Sequence, residues 1–111
     1  MRIRIPSKKV CKEFYMTYEL EGAQRGVNVL TSHYCVPRMK IVLDGRRVAN
    51  GYEAEYFECI ALFTKRGLNK RNVLHELFHH IVENAELEMS LRKEERQASV
   101  FVKAVIKKGK P

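Results

Sequence analysis

Val73, Leu74, Leu77, Phe78, Ile81 and Val82 fall on one broad apolar stripe when the segment after Gly67 is wound as an α-helix. A stripe that wide must be covered, so this helix belongs inside the fold with other elements packed on it. Asn69 can cap its start, and the periodicity predicts a run to about Asn84. A chain of 111 residues has room for one core, and 45% hydrophobic with 31% charged residues is the balance of a folded domain, not a disordered one. No internal repeat or linker divides residues 1–111, which read as a single domain.

The remaining elements follow from spacing and punctuation. Met1 to Ile5 alternates apolar and basic residues and predicts an edge strand ended by Pro6. Ser7 can cap a helix carrying Val10, Phe14 and Tyr18 as far as Gly22. The β-branched and aromatic residues from Val27 to Val36 predict a strand stopped by Pro37, and Met39 to Leu43 predicts another. Asp44-Gly45 and Asn50-Gly51 are tight-turn signals, so Met39–Leu43, Arg46–Ala49 and Tyr52–Phe63 are expected to form a meander, although Glu53 to Phe63 has the length of a helix. Asn84 to Met89 reads as a loop. Beyond it Ser90 can cap a final helix striped by Leu91, Ala98, Val102, Val105 and Ile106, after which Lys107 to Pro111 is expected to fray.

Cys11, Cys35 and Cys59 are odd in number and form no CxxC, which argues against a disulfide framework or a cysteine zinc site and favours a reducing cytoplasm. The longest charge-free run, Gly26 to Pro37, is too short and polar to span a bilayer, so no membrane span is expected. A net charge of +8 favours acidic partners, nucleic acid among them, but no nucleic-acid-reading motif accompanies it.

The buried helix also carries chemistry. His75-Glu76-Leu77-Phe78-His79 is an HExxH sequence. Imidazoles four residues apart lie about 40° out of alignment and about 6 Å along the axis, so both can reach one ion from one face. Glu76 then sits beside the ion without ligating it, where it can take a proton from metal-bound water and pass it to a leaving amine. A catalytic zinc needs a third protein ligand and an open position. Glu83 is carried about 12 Å from His75 by a straight helix, too far to share the ion. On the final helix Glu95, Ala98, Ser99 and Val102 share one face, and an antiparallel helix pair with a short loop would return Glu95 over the metal; by spacing alone Glu94 competes with it. His80 points about 100° away from His79 and reads as a surface or packing residue and not a ligand. His33 with Cys35 makes a pair too small for a site, and Glu86 and Glu88 read as solvated loop residues.

With HExxH followed by a helix bearing Glu95-x-x-Ala98-Ser99, the chain resembles the gluzincin metallopeptidases, and in size the soluble minimal minigluzincins. The likeness covers most of the chain in length and element order; its specific part is Leu74 to Val82 and Glu95 to Ser99. The resemblance implies an α+β, zincin-like domain: a small mixed sheet with a backing helix, an active-site helix and a glutamate helix. It implies His75, His79 and Glu95 as zinc ligands and Glu76 as general base and acid, with an extended peptide or protein substrate lying antiparallel along an exposed sheet edge. Where many relatives place Asp or Asn to hold the first histidine's other nitrogen, this chain has Ser99. The oxyanion stabiliser of larger relatives has no counterpart after His80, leaving Tyr52, Tyr56 or an arginine as candidates. Minigluzincins are latent proenzymes, which implies that residues 105–111 limit access to the zinc. A zincin-fold regulatory module with structural zinc, binding nucleic acid through its basic charge, is the rival expectation.

Overall fold

A computed structural model describes residues 3–111. Met1 and Arg2, which begin the expected N-terminal strand, lie outside the described residues; Ile3 to Ile5 follow as irregular chain, held by the Tyr34 hydroxyl donating to Arg4 O at 2.5 Å. Helix α1 (Lys8–Glu21) starts where Ser7 Oγ accepts the Val10 amide at 3.3 Å and stops at Gly22, whose φ of 96° suits only glycine.

The strand expected over Val27–Val36 is instead helix α2 (Ala23–Tyr34). Val27, Leu30 and Thr31 are buried at helical spacing against the core, and that burial outweighs the strand preference of the β-branched residues. Cys35 in the left-handed conformation (φ 56°) closes the helix, with the Val36 amide donating back to Thr31 O at 3.1 Å.

Three short strands follow: β1 (Lys40–Leu43), β2 (Ala54–Phe57) and β3 (Ile60–Phe63). They form a mixed sheet in the order β1-β3-β2, with β1 parallel and β2 antiparallel to β3. The expected meander is therefore corrected in two places. No strand forms at Arg46–Ala49, because a parallel β1–β3 pair needs a crossover and this segment provides it, starting with a 3₁₀ turn at Gly45–Arg47 capped by Asp44 Oδ1. The expected Tyr52–Phe63 strand is folded into a hairpin at Glu58 (φ 43°) and Cys59 (φ 65°), a type I′ geometry reached without Asn-Gly.

Helix α3 (Lys70–Asn84) begins at Asn69, whose Oδ1 accepts the Asn72 amide at 2.9 Å, and α4 (Leu91–Gly109) begins at Ser90, whose Oγ accepts the Lys93 amide at 3.2 Å. Helix α3 packs between β2 and α4, and α1 packs on α2 and α4. Val73, Leu74, Leu77 and Phe78 are fully buried, with the Phe78 ring 5.5 Å from that of Phe101 on α4. The expected fraying of Lys107–Pro111 is not what α4 does: the helix runs to Gly109, Lys108 Nζ donates to Pro6 O at 3.4 Å, and a Cβ at Gly109 would meet Cys11 O at 2.7 Å. That close approach locks the end of α4 onto α1. Among the described residues no helix is long and apolar enough to cross a membrane.

Candidate metal centre

The anchoring of α3 turns its two histidines toward α4. Nε2 of His75 and Nε2 of His79 are 3.2 Å apart. Glu95 reaches both, with Oε2 3.4 Å from His75 Nε2 and Oε1 3.1 Å from His79 Nε2. Two elements from opposite sides of the Ala85–Ser90 loop thus bring three ligand atoms to one point.

No metal is needed to see whether this set suits one. A tetrahedral ion with bonds of about 2.0–2.1 Å holds its ligand atoms about 3.3–3.4 Å apart; the two imidazole nitrogens are at 3.2 Å, and the Glu95 carboxylate faces both, one oxygen toward each ring, with one ligand atom from each of the three residues within 4.8 Å of the others. Two imidazoles and one carboxylate are a catalytic zinc donor set that leaves a fourth position open. Burial, helped by His79 and opposed by Glu95, lowers the pKa of His75, which favours the neutral imidazole that a metal requires.

The far side of His79 is occupied as well. Glu94 Oε2 contacts His79 Nδ1, taking the hydrogen there and leaving Nε2 with its lone pair toward Glu95 and His75. The sequence leaves Glu94 and Glu95 as rivals for one role; in the fold they hold the two nitrogens of one ring. Ser99 lies exposed on α4, and its hydroxyl makes no hydrogen bond to a described residue. Its hydroxyl ends one bond beyond Cβ, and the carboxylate that orients a histidine here is that of Glu94. Glu83, excluded by distance, lies outside the cluster.

Glu76 is 7% exposed, lines the same groove and has no hydrogen-bond partner among the described residues. Burial pushes its pKa up to about 7, His79 pulling down and Glu95 and Glu55 adding to the rise. A carboxyl poised there can both accept and return a proton near neutrality.

Of the phenols weighed for the oxyanion, Tyr56 is already engaged. His80, fully buried, donates from Nε2 to Pro37 O at 2.6 Å, so its Nδ1 is the acceptor for the Tyr56 hydroxyl at 2.9 Å. The same hydroxyl accepts the Cys59 amide at 3.1 Å, and Asn84 Nδ2 approaches His80 Nδ1 at 3.2 Å. His80 is thus a packing residue that pins the β2–β3 turn and the α2–β1 connection to α3. Tyr52, 68% exposed, lines the groove with its hydroxyl free of described partners, and no arginine lines it.

None of residues 105–111 lines this groove: Val105 is buried in the core and Gly109 lies on α1. The sequence reading did not anticipate the Glu94 contact, the Tyr56–His80–Pro37 chain or the groove-lining carboxylates Glu53 and Glu55. Compared with known proteins, the chain matches no protein-family model, no curated protein and no solved structure. The statement the fold supports is therefore architectural: an α+β domain with an HExxH helix and a downstream glutamate in a gluzincin-like arrangement.

Proposed function

We propose that the chain is a zinc-dependent peptide hydrolase. The observation that carries this reading is the convergence of His75, His79 and Glu95, one ligand atom from each within 4.8 Å of the others, in a groove that also holds a buried Glu76 with no side-chain hydrogen bond to a described residue. His75 and His79 would hold zinc through Nε2 and Glu95 through its carboxylate. Zinc, when bound, supplies Lewis acidity that lowers the pKa of water to about 7 and polarises the peptide carbonyl. Glu76 takes the proton of the attacking water and delivers it to the leaving amine. Glu94 keeps the His79 ring in the tautomer and orientation that present Nε2. Tyr52 is the groove phenol free to donate to the carbonyl oxygen as charge develops on it.

The open edge of the sheet supports a site for the substrate backbone. Gln24 covers the β1 edge of the sheet, its Nε2 donating to Met39 O at 3.0 Å and its Oε1 accepting the Ile41 amide at 2.8 Å. The opposite edge, β2, borders the groove and is left for an extended peptide.

Metal analysis with three proteins tests the reading. Wild type and Glu76→Gln are expected to carry about one zinc per chain, His79→Ala none, and only wild type to cleave peptides. Zinc-loaded wild type that cleaves no peptide would turn the reading to a non-catalytic zincin-fold module, for which a salt-sensitive shift of DNA or RNA would be the supporting observation.

A further inference from the structure

A strongly basic chain carries an acidic groove. Against 21 lysines and arginines and 13 acidic residues overall, the groove of about 800 Å³ that holds the two histidines is lined by Glu53, Glu55, Glu76 and Glu95, and by no described lysine or arginine. Glu95 faces the imidazoles and Glu76 lies nine-tenths buried at the floor, so both have duties already. Glu53 and Glu55 do not: neither forms an ion pair with a described residue. A divalent cation would not reverse the sign: even with Glu76 left out, the carboxylates of Glu53, Glu55 and Glu95 outnumber its two charges by one.

The register of the open edge says where these carboxylates act. The Thr64 amide donates to Glu53 O at 3.0 Å, so Glu53 and Glu55 turn their peptide groups toward β3, and Ala54 and Tyr56 turn theirs outward to the free edge. Side chains alternate the other way: Ala54 and Tyr56 pack on the core, which leaves Glu53 and Glu55 together on the opposite face. A peptide strand added to β2 would bond through Ala54 and Tyr56 and set two of its own side chains, one residue apart, beside Glu53 and Glu55. Cross-strand neighbours of opposite charge stabilise such pairing and like charges oppose it.

We propose that this groove selects cationic peptides, with Lys or Arg at two positions separated by one residue, and that Glu53 and Glu55 determine the choice. The proposal rests on the peptide-hydrolase reading for what happens next, but not for binding. Binding is therefore measured first, by fluorescence anisotropy on zinc-loaded Glu76→Gln protein with three labelled peptides differing only in a Lys-Ala-Lys, Ala-Ala-Ala or Glu-Ala-Glu segment. The lysine peptide is expected to bind about 10-fold tighter than the alanine peptide and the glutamate peptide weaker still, with the preference shrinking as salt is raised. Adding Glu53→Gln and Glu55→Gln together should bring the three peptides within about 2-fold; each single change, the fallback if the double variant misfolds, should remove about 3-fold. Equal binding of the three peptides, or a preference that survives these substitutions, overturns the proposal. Wild-type turnover separates the two readings: a lysine peptide that binds selectively but is never cleaved sinks the hydrolase and spares the selectivity, whereas equal cleavage of all three does the reverse.

Discussion

Glu94 takes the Nδ1 hydrogen of His79, so the ring that presents Nε2 to the metal position is oriented by the residue adjacent to the third candidate ligand. One turn of α4 therefore supplies both a candidate ligand and the group that orients a second candidate. The arrangement requires α4 to be rotated so that neighbouring side chains straddle one imidazole.

Removing that aiming group should weaken metal binding without touching the ligands. Glu94→Gln is expected to lower zinc affinity about 10- to 100-fold, read by competition with a chromogenic chelator. Ser99→Ala, at an exposed position without a hydrogen bond, should change it less than about 2-fold. Equal affinity of wild type and Glu94→Gln would remove Glu94 from the centre.

The Tyr56–His80 contact joins the sheet to α3 and should appear in stability. Tyr56→Phe leaves the buried His80 Nδ1 with only the Asn84 amide and deprives the Cys59 amide of its acceptor, so a loss of about 1–3 kcal/mol is expected in urea unfolding, with zinc stoichiometry unchanged. Loss of zinc at full stability would place Tyr56 at the metal instead.

These two contacts also mark what the sequence could and could not convey. The α3 stripe and the histidine pair were legible because both depend on spacing within one helix. Helix α2 was not, since Val27, Val29 and Thr31 carry a local strand preference that only burial against the core overrides. The Glu58-Cys59 turn was hidden for a similar reason: neither residue is a turn former, and the Tyr56 hydroxyl that accepts the Cys59 amide is engaged from another element, through His80. Glu94 was visible as a candidate ligand, but its role depends on the rotation of α4, a tertiary quantity.

Gly67 should not tolerate a side chain. A Cβ there would lie 2.0 Å from Glu53 O, the carbonyl that receives Thr64 at the start of the β2–β3 pairing. Gly67→Ala is expected to cost more than about 2 kcal/mol and, because the backbone at Glu53 must move, to weaken peptide binding at the β2 edge as well. Thermal melts and anisotropy on the same samples would show both effects; an unshifted melting temperature would refute the close approach.

Residues 105–111 offer the sharpest contrast between a plug and a structural segment. Val105 is fully buried, and Gly109 and Lys108 tie α4 to Cys11 and Pro6 on or beside α1. None of these residues lines the groove that holds His75, Glu76 and Glu95. Deleting 105–111 is accordingly expected to lower stability by about 2 kcal/mol or more, through lost apolar burial and an unsupported α1, and to leave peptide turnover per folded, zinc-loaded molecule the same or lower. A shorter deletion, 110–111, spares those contacts and should be silent in both measurements. If either deletion instead raises turnover while the melt and zinc content hold, the segment covers the groove in solution and latency is its function.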